Sequence, residues 1–413
     1  MSAGPGRRAG AGPVRVALVG ANGHGQWHRR VIAPLHQAGS VRLVGLCDVA
    51  PVVDAPGAPV PAGVPVFRDH PELLAATRPE LVVVCTPPHT HLPVAVAAVR
   101  AGADLLLEKP PLASLAEHAE LTRELARAGR VCQVGFQALG SPALAELTAA
   151  LAAGRLGQVT GIGVAGAWQR PDGYYRRAPW AGRRRLAGGP VLDGALVNPF
   201  AHALMQALAV AEAVTGRPVP VTGWELELER YRARPIEVDD TAALRLRLPG
   251  RPGLPVVVAV TLCADEHLPG ELTVHTEGGG AVLEYPTDRL RLPGEPGLRE
   301  VPGRTGLLAN LLAHRAAPAA VRLLAPLART APFTAIVERV VAAPEPVPID
   351  PAWQVATGTG ADRVVTVPGV SRLLRRAADR LALPSELAGS PDAGWLPAPT
   401  ANTVHTGTER VQG

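Results

Sequence analysis

The sequence predicts an α/β protein, in which a doubly wound, mostly parallel open sheet is followed by a second α+β domain on a mostly antiparallel sheet. Three observations predict it. From Val14 to about Gln137, short apolar runs alternate with stretches of helical periodicity, the pattern of a parallel sheet with right-handed crossovers on both faces. After Gln137 the runs are strand-like and mostly alternate apolar with polar between Gly and Pro turns, which suits an antiparallel sheet with one face covered. The chain has 413 residues, 47% of them hydrophobic and only 3% aromatic, enough for two cores built from Ala, Val and Leu.

Taken in order, VRVALVG is the first strand and runs into the glycine turn GANGHG. QWHRRVIAPLHQAG then has helical spacing, and VRLVGLCD returns as the second strand. PELLAATRP is a short helix, ELVVVCTPP the third strand, THLPVAVAAVRAG a helix and ADLLLEKP the fourth strand. SLAEHAELTRELARAG is an amphipathic helix, and RVCQVGFQ is the fifth strand. Beyond it lie the helix SPALAELTAALAAG and the strand-like runs QVTGIGVAGAW, VTGWELELERYRA, DDTAALRLRL, LPVVVAVTLCADEH and GELTVHTEGGGAVLEYP. From about Gly303 two segments read as helices, TGLLANLLAHRAAPAAVRLLAPL and VSRLLRRAADRLAL. The expected organisation is a flexible tail over 1–13, a first domain over 14–137, a second over 138–390 and a Pro/Thr/Gly-rich flexible tail over 391–413.

Composition excludes several classes of function. The net charge of +5 comes from 41 basic and 36 acidic side chains with no basic arm or aromatic platform, so no nucleic-acid partner is expected. Cys47, Cys85, Cys132 and Cys263 have no paired spacing, and three lie in apolar runs; they are read as packing residues in a reducing compartment. No run of roughly 18 apolar residues spans a bilayer, and no signal-like segment follows MSAGPGRRAGAGP. A cytoplasmic protein without membrane partners is expected. The histidines are read as scattered without ligand spacing, so no metal is expected.

The first turn carries the first chemical signal. A phosphate-cradling turn needs glycine where the backbone bends, where it approaches a pyrophosphate and where helix meets strand. Gly20 and Gly25 fit the first and third positions; Asn22 stands at the middle one, with Gly23 shifted by one, a departure that the tolerance of Asn for left-handed backbone accommodates. Asp48 ends the second strand, where a carboxylate accepts the adenosine ribose hydroxyls; its other reading is an ordinary polar strand end. Val49, Ala50 and Pro51 offer no basic group for a 2′-phosphate, so NAD is expected ahead of NADP.

The second signal is a count. Lys109 is the sole lysine among the 41 basic residues. In a chain that uses arginine everywhere else, a retained lysine marks chemistry that guanidinium cannot do, because an ammonium can shift its pKa and lose its proton.

TPPHTH after the third strand, AGADLLLEKP and the GG…D…N…H stretch of the second domain together resemble the Gfo/Idh/MocA family (glucose–fructose oxidoreductase, inositol dehydrogenase and rhizopine catabolism). The likeness is strong over 14 to about 137 and extends in outline to about 290. It implies an N-terminal Rossmann domain that binds NAD(P), with Lys109 near the nicotinamide and the reacting hydroxyl, Glu108 on the nicotinamide ribose and Pro110 stiffening the turn. By the same resemblance Thr86, Pro87, Pro88 and His91 form the cofactor-edge loop, and Gln137 lies near the nicotinamide. His91 reads equally as a structural histidine.

In the second domain the resemblance leads to an aspartate followed four residues later by a histidine, on one helix face. GGPVLDGALVNPFAH departs from this: Val197 stands four after Asp193, and Asn198 and His202 follow. Asn198 and His202 share a face if the segment is helical, and Pro199 could reset the phase so that all three converge. The structural readings are a capping or ion-pair residue for Asp193, an N-cap for Asn198 and a core histidine for His202. GYYRRAPWAGRRR just before it reads either as a sugar-binding wall of Tyr174, Tyr175, Trp180 and arginines or as a solvated loop.

The expected function is an NAD-dependent oxidoreductase of a sugar, cyclic polyol or derivative, with Lys109, His202, Asp193 and Asn198 as catalytic candidates. The alternatives are an NAD-recycling glycoside hydrolase of the same fold and a non-catalytic NAD-binding regulator. The resemblance implies a homo-oligomer paired through the exposed face of the second-domain sheet.

Overall fold

The computed structural model describes residues 12–186, 189–249 and 253–397. The chain divides into two compact units. The first takes the chain up to Leu112, Ala116–Gly135 and Gly306–Ala328; the second takes Ala113–Leu115, Phe136–Thr305 and the chain from Arg329.

The first unit contains strands β1 (Val14–Val19), β2 (Val41–Cys47), β3 (Val66–Phe67), β4 (Leu81–Val84), β5 (Asp104–Leu107) and β6 (Cys132–Val134). Between them run helices α1 (Gly25–Gln37), α2 (His70–Thr77), α3 (His91–Arg100) and α4 (Leu115–Ala128). The sheet order is β3-β2-β1-β4-β5-β6 and every pair is parallel. The order reverses between β1 and β4, and ligands of such sheets bind outside the strand ends at that reversal. Because helices cover both faces, the strands are continuous apolar runs; all four residues of β4 are buried. β3 was not expected, since two residues are too few to show a pattern.

The second unit begins with α5 (Pro142–Ala152), β7 (Val159–Gln169), the short α6 (Asp172–Tyr175), β8 (Arg185–Leu186), β9 (Gly189–Pro190) and α7 (Ala201–Thr215). It continues through β10 (Glu225–Arg232), β11 (Thr241–Arg247), β12 (Pro255–Thr261), β13 (Cys263–Thr276), β14 (Ala281–Glu284), β15 (Arg289–Arg291) and β16 (Arg299–Glu300). The next helix, α8 (Leu307–Ala316), returns to the first unit and buries Leu307, Leu308 and Leu311 in its core with Val16, Leu18 and Leu106. This corrects the expected single second domain over 138–390. α9 (Ala331–Ala342), β17 (Val347–Pro348), β18 (Val355–Thr357), β19 (Val364–Thr366) and α10 (Val370–Arg380) complete the second unit.

Its main sheet has nine strands in the order β16-β15-β14-β13-β7-β12-β11-β10-β17, antiparallel except at β7/β12 and β10/β17. The expectation of one free face is overturned, because the centre of the sheet is covered on both sides. A Cβ on Gly166 of β7 would lie 2.3 Å from the Phe200 ring just before α7, whereas one on Gly163 would lie 2.2 Å from the Ala378 carbonyl of α10. α10 buries Val370, Leu373, Leu374 and Ala377 together with Tyr231, Val365 and Trp395. The expected tail is corrected as well: Trp395 is 1% exposed, so the chain is packed to that point. The remainder of that tail, 398–413, and residues 1–11 of the N-terminal one lie outside the described residues.

Among the described residues no helix is long and apolar enough to cross a membrane. Burial pushes all four free cysteine thiols up, Cys47 to about 11, as suits packing residues.

Candidate active site

The turn after β1 is built by contacts that only glycine permits. Gly20 has φ +88° and a Cβ there would stand 2.3 Å from the Cys85 carbonyl oxygen; a Cβ on Gly25 would stand 1.9 Å from the Gly20 carbonyl. These two glycines pack the start of α1 onto the ends of β1 and β4. Asn22 solves the departure at the middle position by turning outward: its Nδ2 donates to the Pro51 carbonyl at 3.1 Å, and its backbone N–H donates to Asp48 Oδ2 at 2.9 Å. Gly23 also has positive φ, with open space around its Cα. Asp48 also accepts from Ala50 N–H at 3.0 Å. Arg68, which follows β3, donates to the Val49 carbonyl at 2.8 Å, a basic side chain at this edge that the residues next to Asp48 do not reveal. The close approach at Gly20 and Gly25, with a carboxylate at the end of β2, fits a dinucleotide.

The loops after β4 and β5 are locked together by His91, which is 1% exposed. Its Nδ1 lies 3.0 Å from the Pro111 carbonyl and its Nε2 2.8 Å from that of Thr86, so neither nitrogen is left for a ligand. His91 is therefore a structural staple rather than a cofactor contact. Thr86 accepts from the Thr90 hydroxyl at 2.7 Å, and Pro88 opens a short 3₁₀ turn behind Pro87.

Glu108 is corrected in the same way. It is 5% exposed; Oε1 lies 2.9 Å from His28 Nε2, and Oε2 accepts from the Lys109 N–H at 3.1 Å. Gly135 leaves room for it, since a Cβ there would lie 2.7 Å from that carboxylate. Burial pushes the Glu108 carboxyl up, but the hydrogen bond and charge of His28, with His24 and Lys109 nearby, outweigh it and hold the group down at about 2. The carboxylate thus anchors the turn that carries Lys109, instead of reaching outward for a ribose. Lys109 is half-buried, and its bond to Pro110 is cis.

His24 and His28 stand four apart at the start of α1, and with Glu108 they offer three ligand-type atoms within 4.8 Å of one another. The spacing H-x-x-x-H was visible in the sequence, so the reading of histidines without ligand spacing is corrected.

In the second unit Asp193 and Asn198 come together: Asn198 Nδ2 donates to Asp193 Oδ1 at 3.0 Å. Asp193 Oδ2 accepts from the Gly182 N–H at 2.8 Å, and Arg177 Nη2 stands 3.7 Å from Oδ1. The turn depends on a buried ion pair. Asp239 accepts from the Ala195 N–H and from Arg230 Nε, each at 2.9 Å, and Gly194, at φ +107°, has no room for a Cβ beside it. Asn198 is not an N-cap. Pro199 cannot donate, the Phe200 N–H reaches back to the Ala195 carbonyl, and α7 starts only at Ala201. His202 lies in the first turn of α7, half-buried, with the rings of Phe136 at 6.0 Å and Tyr285 at 5.5 Å. Gln137 has a buried side-chain nitrogen without a hydrogen-bond partner among the described residues, as a ligand-facing amide would.

The NAD-binding Rossmann-fold model of the GFO/IDH/MocA oxidoreductase family matches residues 14–136, and the C-terminal domain model of that family matches 144–282. An uncharacterized oxidoreductase of Synechocystis is 31% identical over 52% of this chain and 58% of its own. Inositol 2-dehydrogenase 1 of Saccharopolyspora erythraea is 31% identical over 35% of this chain and 43% of its own. The chain spans about half the length of the curated relatives it matches. Among solved structures, the WlbA dehydrogenase of Bordetella pertussis, in complex with NADH and UDP-GlcNAcA, superposes with a TM-score of 0.65 at 22% identity, over 82% of this chain and 100% of that one. An inositol dehydrogenase homolog of Azotobacter vinelandii complexed with NAD+ gives 0.61 at 20% identity, over 80% and 95%.

Proposed function

Because the chain belongs to the Gfo/Idh/MocA oxidoreductase family and its first unit is an NAD-binding Rossmann domain, we propose that it is an NAD-dependent dehydrogenase of a sugar, cyclic polyol or derivative. The observation that carries this reading is Lys109, the one lysine of the chain, on a turn whose Glu108 carboxylate is buried beneath it and tied to His28. The relatives named inositol and D-glucoside dehydrogenases support the substrate class.

NAD, which the turn at Gly20 and Gly25 and the Asp48 carboxylate would hold, would supply the hydride acceptor. The chain's own residues do the rest. The Lys109 ammonium holds the substrate oxygen and stabilises the negative charge that grows on it. His202 takes the hydroxyl proton, since an imidazole nitrogen is the side-chain group most often used as a general base. Asp193 is the weaker candidate for that proton because its oxygens already accept from Gly182 and Asn198. Asn198 then serves to orient Asp193.

The test is reduced-nicotinamide absorbance across a panel of sugars and inositols. Lys109→Arg keeps the charge and is expected to bind NAD while losing turnover by at least about 100-fold. Near-normal turnover in that variant would remove Lys109 from the mechanism, and substrate cleavage without net NADH would instead mark an NAD-recycling hydrolase.

A further inference from the structure

Within the second unit lies a cavity of about 460 Å³ whose wall includes Asp172, Tyr175, Arg176, Arg183, Arg234 and Arg363. We propose that it is an anion-binding subsite that takes a carboxylate or phosphate group carried by the substrate. The substrate assignment rests on the dehydrogenase reading above; the anion site itself does not.

Charge balance is the first argument. Asp172 is shared by three guanidinium groups, those of Arg363 at 3.2 Å, Arg234 at 3.4 Å and Arg176 at 3.6 Å. Arg234 also stands 3.9 Å from the buried Asp240, and two carboxylates still face three cations. Arg183 makes no ion pair among the described residues, and the other acid of the wall, Glu237, accepts from the Arg184 backbone N–H at 2.9 Å. The choice of arginine tells nothing by itself in a chain with one lysine; the excess over carboxylates in one concavity does. A neutral polyol has no use for that excess, whereas a second anion would complete it.

Preorganisation is the second. Arg234 is 4% exposed, and its guanidinium is fixed by the Arg170 carbonyl at 2.6 Å, the Val365 carbonyl at 3.3 Å and Cys263 Sγ at 2.9 Å. It also stands 5.2 Å from the centre of the Tyr175 ring. The Tyr175 hydroxyl is shielded from solvent and has no hydrogen-bond partner among the described residues. A buried donor without an acceptor is costly, and a ligand oxygen would recover that cost.

Position is the third. Gly182 belongs to the same wall, and its N–H is held by Asp193, so the cavity adjoins the turn that carries two of the candidate catalytic residues. Arg177, between the Tyr174 ring at 3.7 Å and the Trp180 ring at 4.6 Å, reaches the other oxygen of Asp193.

The experiment compares D-glucuronate and glucose 6-phosphate with glucose, by calorimetry in the presence of NADH and by NADH formation with NAD. The double variant Arg183→Gln/Arg363→Gln is expected to lower the ratio of anion to neutral-sugar affinity by about tenfold or more, since charge-assisted hydrogen bonds are lost, and Tyr175→Phe by several-fold. Anion affinity is also expected to fall as salt rises. The carboxylate and phosphate probes show which anion the site prefers. Folding of the variants is checked by their melting curves and NAD affinity. If neither anion binds the native protein more tightly than glucose does, or if the ratio survives in folded variants, the proposal is overturned. Selective anion binding with no turnover of any sugar would leave the subsite standing and sink the dehydrogenase reading; turnover of neutral sugars without anion preference would do the reverse.

Discussion

Glu108 is the residue whose surroundings make the sharpest statement. Its ordinary pKa of 4.5 falls to about 2 in the folded chain, although burial alone would raise it, because His28 donates to it and His24 and Lys109 lie nearby. A depressed carboxyl contributes stability that is present above its unfolded pKa and is lost as pH falls through the folded one. The window therefore runs from about 4.5 down to about 2. At 1.36 kcal/mol per unit the shift is worth about 3 kcal/mol. We expect the urea stability of the native protein to exceed that of Glu108→Gln at about pH 5, and the margin to close as pH falls towards 2. A margin that does not change with pH would mean that the ion pair with His28 is not its source. Lys109 was legible from its uniqueness and Glu108 from its neighbour, but the direction in which Glu108 points was not. It depends on His28, eighty positions earlier, and on the missing Cβ of Gly135. Asp193 and Asn198 were legible as candidates, while their mutual contact was hidden by a turn whose Phe200 N–H skips the usual helical acceptor.

At the scale of elements, the parallel sheet was legible because each strand is apolar throughout and each helix periodic. The second sheet was legible in its mostly antiparallel pairing, but not in what covers it. β7 reads VTGIGVAGAWQ, and its glycines look like the weak positions of a half-solvated strand. They are instead the places where Leu381, the Ala378 carbonyl and Phe200 come within contact. α10 carries the matching signal, with Leu373, Leu374 and Ala377 on one face and Arg372, Arg375 and Arg376 on the other, yet nothing in its own pattern names the sheet face it will cover. The centre of the face predicted for self-association is thus covered by α10. Truncating Leu373 and Leu374 together to Ala should cost about 4–10 kcal/mol, since each buried leucine loses about 2–5. It should also raise dye binding and light scattering as the Ala165, Ala167 and Leu268 surface opens. Unchanged scattering in a clearly destabilised variant would show that the covered face is not adhesive. Gly25→Ala makes a separate test of the first turn: a methyl group 1.9 Å from the Gly20 carbonyl cannot be accommodated without moving the turn, and NAD affinity should drop by about tenfold or more.

For the whole molecule, the order of elements in sequence is not the order of units in space. The dinucleotide-binding unit is not finished at residue 137, where its helix and strand pattern ends. β6, the last strand of its sheet, receives residues from beyond 300: Val134 N–H donates to the Ala325 carbonyl at 2.8 Å, and Gln133 pairs with Pro326 in an isolated bridge. Behind that edge Gln133, fully buried, donates to the Leu307 carbonyl at 3.2 Å and to Asn310 Oδ1 at 2.6 Å, and accepts from the Ala325 N–H at 2.9 Å. Asn310 in turn donates to the Arg322 carbonyl at 3.1 Å. A periodicity argument cannot find this, because the segment contributes one short helix and a strand-like contact only two residues long. A fragment of residues 14–137 would leave Gln133 unpaired and would uncover the leucine face that Leu307, Leu308 and Leu311 close. Three leucines at roughly 1.5–3 kcal/mol each, with the buried amide, amount to most of the stability of an ordinary domain. The fragment is therefore expected to lack a cooperative thermal transition and to bind no NAD. In the full chain, Gln133→Leu is expected to lower stability by about 1–3 kcal/mol through the unpaired Ala325 N–H, since Asn310 Oδ1 keeps the Leu324 N–H as a donor. A fragment that melts cooperatively and binds NAD as the whole protein does would show that the returning segment decorates this unit rather than completing it.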